Sequence, residues 1–293
     1  MTIRPRDLPG LRSQTVKALE DPTGLFRSRI QPPQEIPLDV IIRVLRAAEL
    51  YWVTDSMTAL AMSAGVTLTD PDWGPQARPS GCGLIYYQGG IGSIPILDGT
   101  IEQPVDACGW GPGPGGRCLL TFFGESRRTA QAIRDTGKQA RPLPPGFIPV
   151  ASAYLVTGQG PTDAGGHPTT DLPAPLVSAV AASWLLMQQP QLADRSTRPA
   201  KGPDRAAARR LGMPDPQVSI VDLRRQYRPD DREETGEDRG RRYKHRWVVS
   251  GHWRNQPYGP GRSLRRKQWI PAHVRGPDGA PLLATEKVNV WRR

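Results

Sequence analysis

Thirty-two prolines and 31 glycines, about a fifth of a 293-residue chain, limit the fold more than any other feature. Proline fixes φ and removes a backbone donor, and glycine weakens the interior of a helix or strand. Long uninterrupted elements are therefore excluded, and short ones joined by irregular connections are expected. The share stays below the level of about 25–30% that marks low complexity. With 37% apolar residues a core of useful size remains possible, and no internal repeat is present.

Between the breakers, residues 1–36 read as an irregular arm with one short helix. Val40, Ile41, Val44, Leu45, Ala48 and Leu50 fall at helical spacing within "LDVIIRVLRAAELYWVTDSMTALAMSAG", and a break at Asp55-Ser56 is a good start for a second helix. From Gly81 the runs "CGLIYYQ", "SIPIL", "VDACGW" and "CLLTFFG" favour an antiparallel sheet of three or four strands. "ESRRTAQAIRDTG" reads as an amphipathic helix. "FIPVASAYLVTG" fits a strand or a helix start equally. "PLVSAVAASWLLMQQP" is a buried helix stopped by Pro190. Beyond it come one short Arg-rich helix, a strand at "VSIVDLRR", a charge-dense loop at 227–242, and three strand-like segments ("YKHRWVVSGHWR", "RRKQWIPAHV", "EKVNVW") that suggest a meander.

The fold class expected is α+β, a mixed α/β N-terminal region with a small antiparallel sheet and a basic C-terminal β module. The expected divisions are an arm at 1–36, an α+β domain at 37–190, a linker with one strand and a charged loop at 191–240, and the β module at 241–293.

Charge is distributed as unevenly as the breakers are evenly. The net charge is +11; residues 191–293 hold 24 Lys and Arg against 12 Asp and Glu, while the first 190 residues are nearly neutral. From Arg241 to Arg275 there are ten basic residues and no acid. Such asymmetry points to a polyanionic partner for the C-terminal third alone. Cys82, Cys108 and Cys118 are odd in number and lack CxxC spacing, so neither a disulfide framework nor a zinc site is expected. No apolar signal core or bilayer-length run is present. A cytoplasmic protein without cofactor, metal or membrane partner is expected.

The stretch "VVSGHWRNQPYGPGRSLRRKQWIP" concentrates imidazole, aromatic rings and guanidinium. If residues 246–254 form one strand, Trp247, Val249 and Trp253 face one side, and Arg246, Ser250, His252 and Arg254 the other. Tyr258 sits in a Gly-flanked loop, and Arg262, Arg265, Arg266 and Lys267 lead into the next strand. Arginine forks grip phosphate and aromatic rings stack on bases, so these eight residues (Arg246, His252, Arg254, Tyr258, Arg262, Arg265, Arg266 and Lys267) are the candidate nucleic-acid contacts. A sharper alternative is a metal-independent endoribonuclease. There His252 with Tyr258 or His273 would supply acid and base, and Arg254 or Arg266 the cation. The cluster has no carboxylate to hold Mg2+. "GWGPGPGG" lacks the Lys-Ser/Thr of a phosphate loop and "YYQGGIGS" precedes no helix; both read as turns. His167 reads as a surface loop residue.

Gly251, His252 and Trp253, the glycines Gly259 and Gly261, the basic run that follows and Trp269 together resemble the family of a type V-A anti-CRISPR. That family's protein lowers the mRNA of its target effector nuclease during translation, and its homologues occur on phages, plasmids and other mobile elements. The resemblance spans about the last 50 residues and, more weakly, the helix "AVAASWLLMQQPQLAD". It departs at Asn255, Gln256 and Pro257, where the family has further aromatics. It implies a mobile-element regulator that binds RNA or a ribosome-associated complex, with a nascent polypeptide or other protein as a further target. A third reading is a protein-binding inhibitor that recognises its target through the neutral N-terminal region and uses the basic tail only for steering.

Overall fold

In a computed structural model, residues 3–24, 26, 36–96, 99–140, 142–224 and 247–275 are described. They hold helices α1 (Leu8–Glu20), α2 (Leu38–Ala47), α3 (Asp55–Val66), α4 (Ser126–Asp135), α5 (Ala174–Met187) and α6 (Gly202–Arg210). The strands are β1 (Glu49–Val53), β2 (Gly83–Tyr87), β3 (Gly92–Ile96), β4 (Ile101–Val105), β5 (Ala107–Pro112), β6 (Cys118–Glu125), β7 (Phe147–Leu155), β8 (Ala193–Pro199), β9 (Gln217–Leu223), β10 (Trp247–Val249), β11 (His252–Tyr258), β12 (Leu264–Ile270) and β13 (His273–Arg275). The fold is α+β, and the chain divides into two compact units, Met1–Arg224 and Arg225–Arg293. No helix among the described residues is long and apolar enough to cross a membrane.

The first unit is built on a seven-stranded mixed sheet of order β7-β6-β5-β2-β1-β9-β8. Its middle is parallel, with β1 between β2 and β9, and its flanks are antiparallel. β1 corrects the sequence reading. "ELYWV" continues the helical spacing of α2, yet it is an interior strand between β2 and β9, with Leu50, Tyr51, Trp52 and Val53 all buried. A strand covered on both faces shows a continuous apolar run, which periodicity cannot separate from a buried helix. The expected three- or four-stranded antiparallel sheet is likewise larger and mixed. "SIPIL" pairs instead with β4, outside the main sheet, and "FIPVASAYLVTG" is strand β7. Residues 191–224 hold two strands where one was expected, since β8 ("ADRSTRP") has no apolar face to announce it.

Alternation along the strands assigns the two cores. Leu50, Trp52, Leu84, Tyr86, Leu119, Phe123 and Val218 lie in one cluster with Leu8, Val16 and Leu19 of α1 and Ile41, Val44 and Leu45 of α2. On the opposite face Tyr51 stacks on Trp110 at 5.6 Å, and Trp110 meets Trp184 of α5 at 5.1 Å. Helices α3 and α5 cross closely there because Gly65 carries no Cβ; one would lie 2.9 Å from the Ala179 nitrogen. That contact offsets the cost of about 1 kcal/mol for glycine inside a helix. Arg12 of α1 is fully buried, and burial lowers its pKa to about 10. Its Nη1 donates to the Ala48 carbonyl at 2.8 Å, at the negative end of the α2 dipole.

The described residues of the second unit hold two ladders, β11 with β12 and β10 with β13. The single strand expected over 246–254 is broken at Ser250-Gly251, and the described strands form two pairs. Arg246, the charged run at 227–242 and the "EKVNVW" segment lie outside the described residues.

Candidate nucleic-acid interface

The β11–β12 hairpin pairs His252 with Ile270, Trp253 with Trp269, Arg254 with Gln268, Asn255 with Lys267, Gln256 with Arg266, Pro257 with Arg265, and Tyr258 with Leu264. Opposed residues in an antiparallel pair share a face. One face therefore carries His252, Arg254, Gln256, Tyr258, Leu264, Arg266, Gln268 and Ile270. The other carries Trp253, Asn255, Pro257, Arg265, Lys267 and Trp269.

The second face is closed by its indoles. Trp253 and Trp269 meet edge to face at 5.2 Å, and Trp269 is 5% exposed. Gly251 makes room for that ring; a Cβ there would lie 2.5 Å from Cζ2 of Trp269. The glycine thus serves Trp269 across the hairpin.

The first face is open. His252, Arg254, Tyr258 and Arg266 are exposed, and Gln256 and Gln268 are half-buried between them. The Arg266 guanidinium sits 5.5 Å from the centroid of the Tyr258 ring, a cation–π contact that steadies both groups. Arg254 donates through Nε to Gln256 Oε1 at 2.9 Å. The result is a row of guanidinium, amide, phenol and guanidinium groups. Leu264, 48% exposed, extends the apolar edge beside Tyr258. Gln256, Gln268 and Leu264 were missed by sequence reasoning. Carrying the alternation past Arg254 to Tyr258 would have found Gln256, since "NQPYGPGRSL" looks like a loop but half of it is strand.

Of the eight candidates, this face unites His252, Arg254, Tyr258 and Arg266. Arg265 and Lys267 project from the indole face. Arg262 stands in the turn with φ of 56°, in the left-handed region. His252 and Tyr258 occupy opposite ends of β11, and six residue steps along the strand separate them by about 20 Å. They do not converge on one phosphate. The His252 ring lies against its own chain, with Nδ1 3.1 Å from the Ser250 carbonyl. The His273 side chain lies outside the described set.

Other sequence features fall where packing needs them. "GWGPGPGG" is the end of β5 and a 3-10 turn at Pro114–Gly116. In "YYQGGIGS", Gly89 and Gly90 turn the chain with φ of 87° and 82°. Exposed His167 pairs with Asp163 at 3.3 Å. Cys108 and Cys118 are buried, and burial pushes both thiols up, Cys118 to about 11. Among the described residues no three His, Cys, Asp or Glu converge as metal ligands.

Residues 125–274 match the family model "AcrVA2-like: Anti-CRISPR type V subtype A2 family". That span holds both segments that carry the resemblance, the α5 region and the Gly251–Trp269 stretch. A solved structure, the crystal structure of AcrVA2, aligns over 92% of this chain and 86% of its own, with 13% identity and a TM-score of 0.37. A comparison with curated proteins finds no match.

Proposed function

The chain belongs to the anti-CRISPR type V subtype A2 family, and from that premise we propose that it is a mobile-element regulator that grips RNA through the open face of its C-terminal hairpin. The bound RNA, free or in a ribosome-associated complex, is the means by which it lowers expression of its target. Family membership implies a protein or effector target, so RNA contact serves to place the regulator on the transcript that encodes it.

One observation carries the reading. Arg254, Gln256, Tyr258, Arg266 and Gln268 share one exposed face, inside a stretch of ten basic residues without an acid. Guanidinium groups bind phosphate and also stack on bases, tyrosine offers a further stacking surface, and glutamine amides can meet base edges on both donor and acceptor sides. A solvated charge face would not require Tyr258 to be braced by Arg266. The endoribonuclease reading finds less support in its His252–Tyr258 form, because that acid and base stand at opposite ends of β11.

The test compares wild type with two face variants and His252→Ala in one gel-retardation series on mixed RNA with EDTA. Arg254/Tyr258/Arg266→Ala is expected to lose retardation, and Arg265/Lys267→Ala to keep most of it. RNA should stay intact throughout. Equal loss in both face variants would remove the assignment of the face. Cleavage that disappears in His252→Ala would replace binding with catalysis. No retardation by wild type would leave a protein target alone.

A further inference from the structure

We infer that strand β8 is a self-pairing edge, through which two copies of the chain join their seven-stranded sheets by antiparallel contact centred on Ser196. Among the described residues, β8 ends the sheet and pairs only with β9. Asp194 through Pro199 are all exposed. The hydrogen-bond phase shows which backbone groups are open. The Arg224 N–H donates to the Leu192 carbonyl at 2.8 Å, and the Ala200 N–H to the Pro216 carbonyl at 3.1 Å. Antiparallel pairs alternate, so Asp194, Ser196 and Arg198 turn their backbone groups toward β9. Arg195 and Thr197 turn theirs outward.

A two-fold axis at Ser196 sets Arg195 opposite Thr197 of the second copy, and Thr197 opposite its Arg195. Each of these pairs exchanges two backbone hydrogen bonds. The same register sets Asp194 opposite Arg198 of the second copy, twice over. These fall on the closely spaced, non-hydrogen-bonded pairs, where opposed side chains are nearest. Pro199 has no N–H, and the Ala193 N–H is already taken by the Gln189 carbonyl. The ladder therefore stops at both ends. Slipping by one pairing step places Arg195 against Arg195, or sets Asp194 and Arg198 against neutral residues. An edge strand usually carries charge to repel other strands. Here the charges complement one register, oppose one slipped register and are left without a partner in the other, a self-complementary patch of the kind a two-fold interface requires. The local Asp194–Arg224 pair, at 3.4 Å and well exposed, is weak enough to be exchanged.

The experiment is sedimentation velocity on the full chain from about 1 to about 200 µM, the range in which modest interfaces are half-occupied. Wild type is expected to show a concentration-dependent dimer. Asp194→Arg leaves Arg at both positions and Arg198→Asp leaves Asp at both, so each alone should weaken dimerisation about tenfold or more. An equimolar mixture of the two variants should dimerise again, because every contact becomes complementary. Thr197→Pro, which deletes an outward N–H, should abolish association. A wild type that stays monomeric throughout overturns the inference, as does a dimer indifferent to both single changes. Loss in the single variants without recovery in the mixture overturns the Ser196-centred register.

Discussion

Gly83→Ala is the substitution whose cost the structure sets most directly. Gly83 of β2 lies opposite Trp110 of β5. A Cβ at position 83 would sit 2.1 Å from Cζ2, 2.4 Å from Cη2 and 2.6 Å from Cε2 of that indole. The ring cannot retreat freely. It is fully buried between Tyr51 and Trp184, and its Nε1 donates to the Ser80 carbonyl at 3.0 Å. Overpacking costs about 1–3 kcal/mol, and a buried donor pulled from its acceptor costs about 1–3 kcal/mol more. Alanine's advantage over glycine within a strand returns about 0.5–1 kcal/mol. The net loss is about 3 kcal/mol. With a urea dependence near 3 kcal/mol/M, the midpoint should fall by about 1 M in far-UV circular dichroism. Gly81→Ala is the control, since nothing stands within 4 Å of its Cβ position. In a Trp110→Leu background, Gly83→Ala should cost less than about 1 kcal/mol. A wild-type-like midpoint for Gly83→Ala, or an equal cost in both backgrounds, would refute the clash as the cause.

The remaining predictions concern charge and turn geometry. If Arg254 and Arg266 contact phosphate, replacing both with Ala should lower the slope of log affinity for single-stranded RNA against log salt by about 1.4, while Arg265/Lys267→Ala leaves it unchanged; titrations at several salt concentrations check this. Arg262→Gly removes a left-handed φ of 56° from a non-glycine residue and should stabilise the hairpin by up to about 1 kcal/mol, read as slower amide exchange in β11 and β12. Burial raises the Asp106 carboxyl above 3.8, against the Glu125 N–H and the Arg128 guanidinium that favour its charge. The folded chain then binds more protons there than the unfolded chain just above that value. Stability relative to Asp106→Asn should therefore fall as pH rises through that window and level off above it; a flat or rising difference in pH-dependent urea unfolding counts against the raised value.

What the chain alone determined is local. Pro190 ends α5, "CLLTFFG" makes β6, and the absence of acids from Arg241 to Arg275 concentrates net positive charge in that segment. Each follows from neighbours within a few residues: a missing N–H, a run of branched and aromatic side chains, a charge count. The Gly251–Trp269 stretch was also legible enough to indicate the family. Only tertiary structure decided the rest. "ELYWV" has the spacing of a helix and becomes a strand because β2 and β9 offer hydrogen bonds on both its edges. "ADRSTRP" carries no pattern of burial and becomes a strand because β9 supplies a partner. The open face of β11 was half visible. Alternation told Arg254 from Trp253, but the Tyr258–Leu264 closure assigns Arg266 to that face and Arg265 to the other. Register is a relation between distant residues, and a shift of one reverses every face. Local spacing contains no information about it until the partner strand is in place.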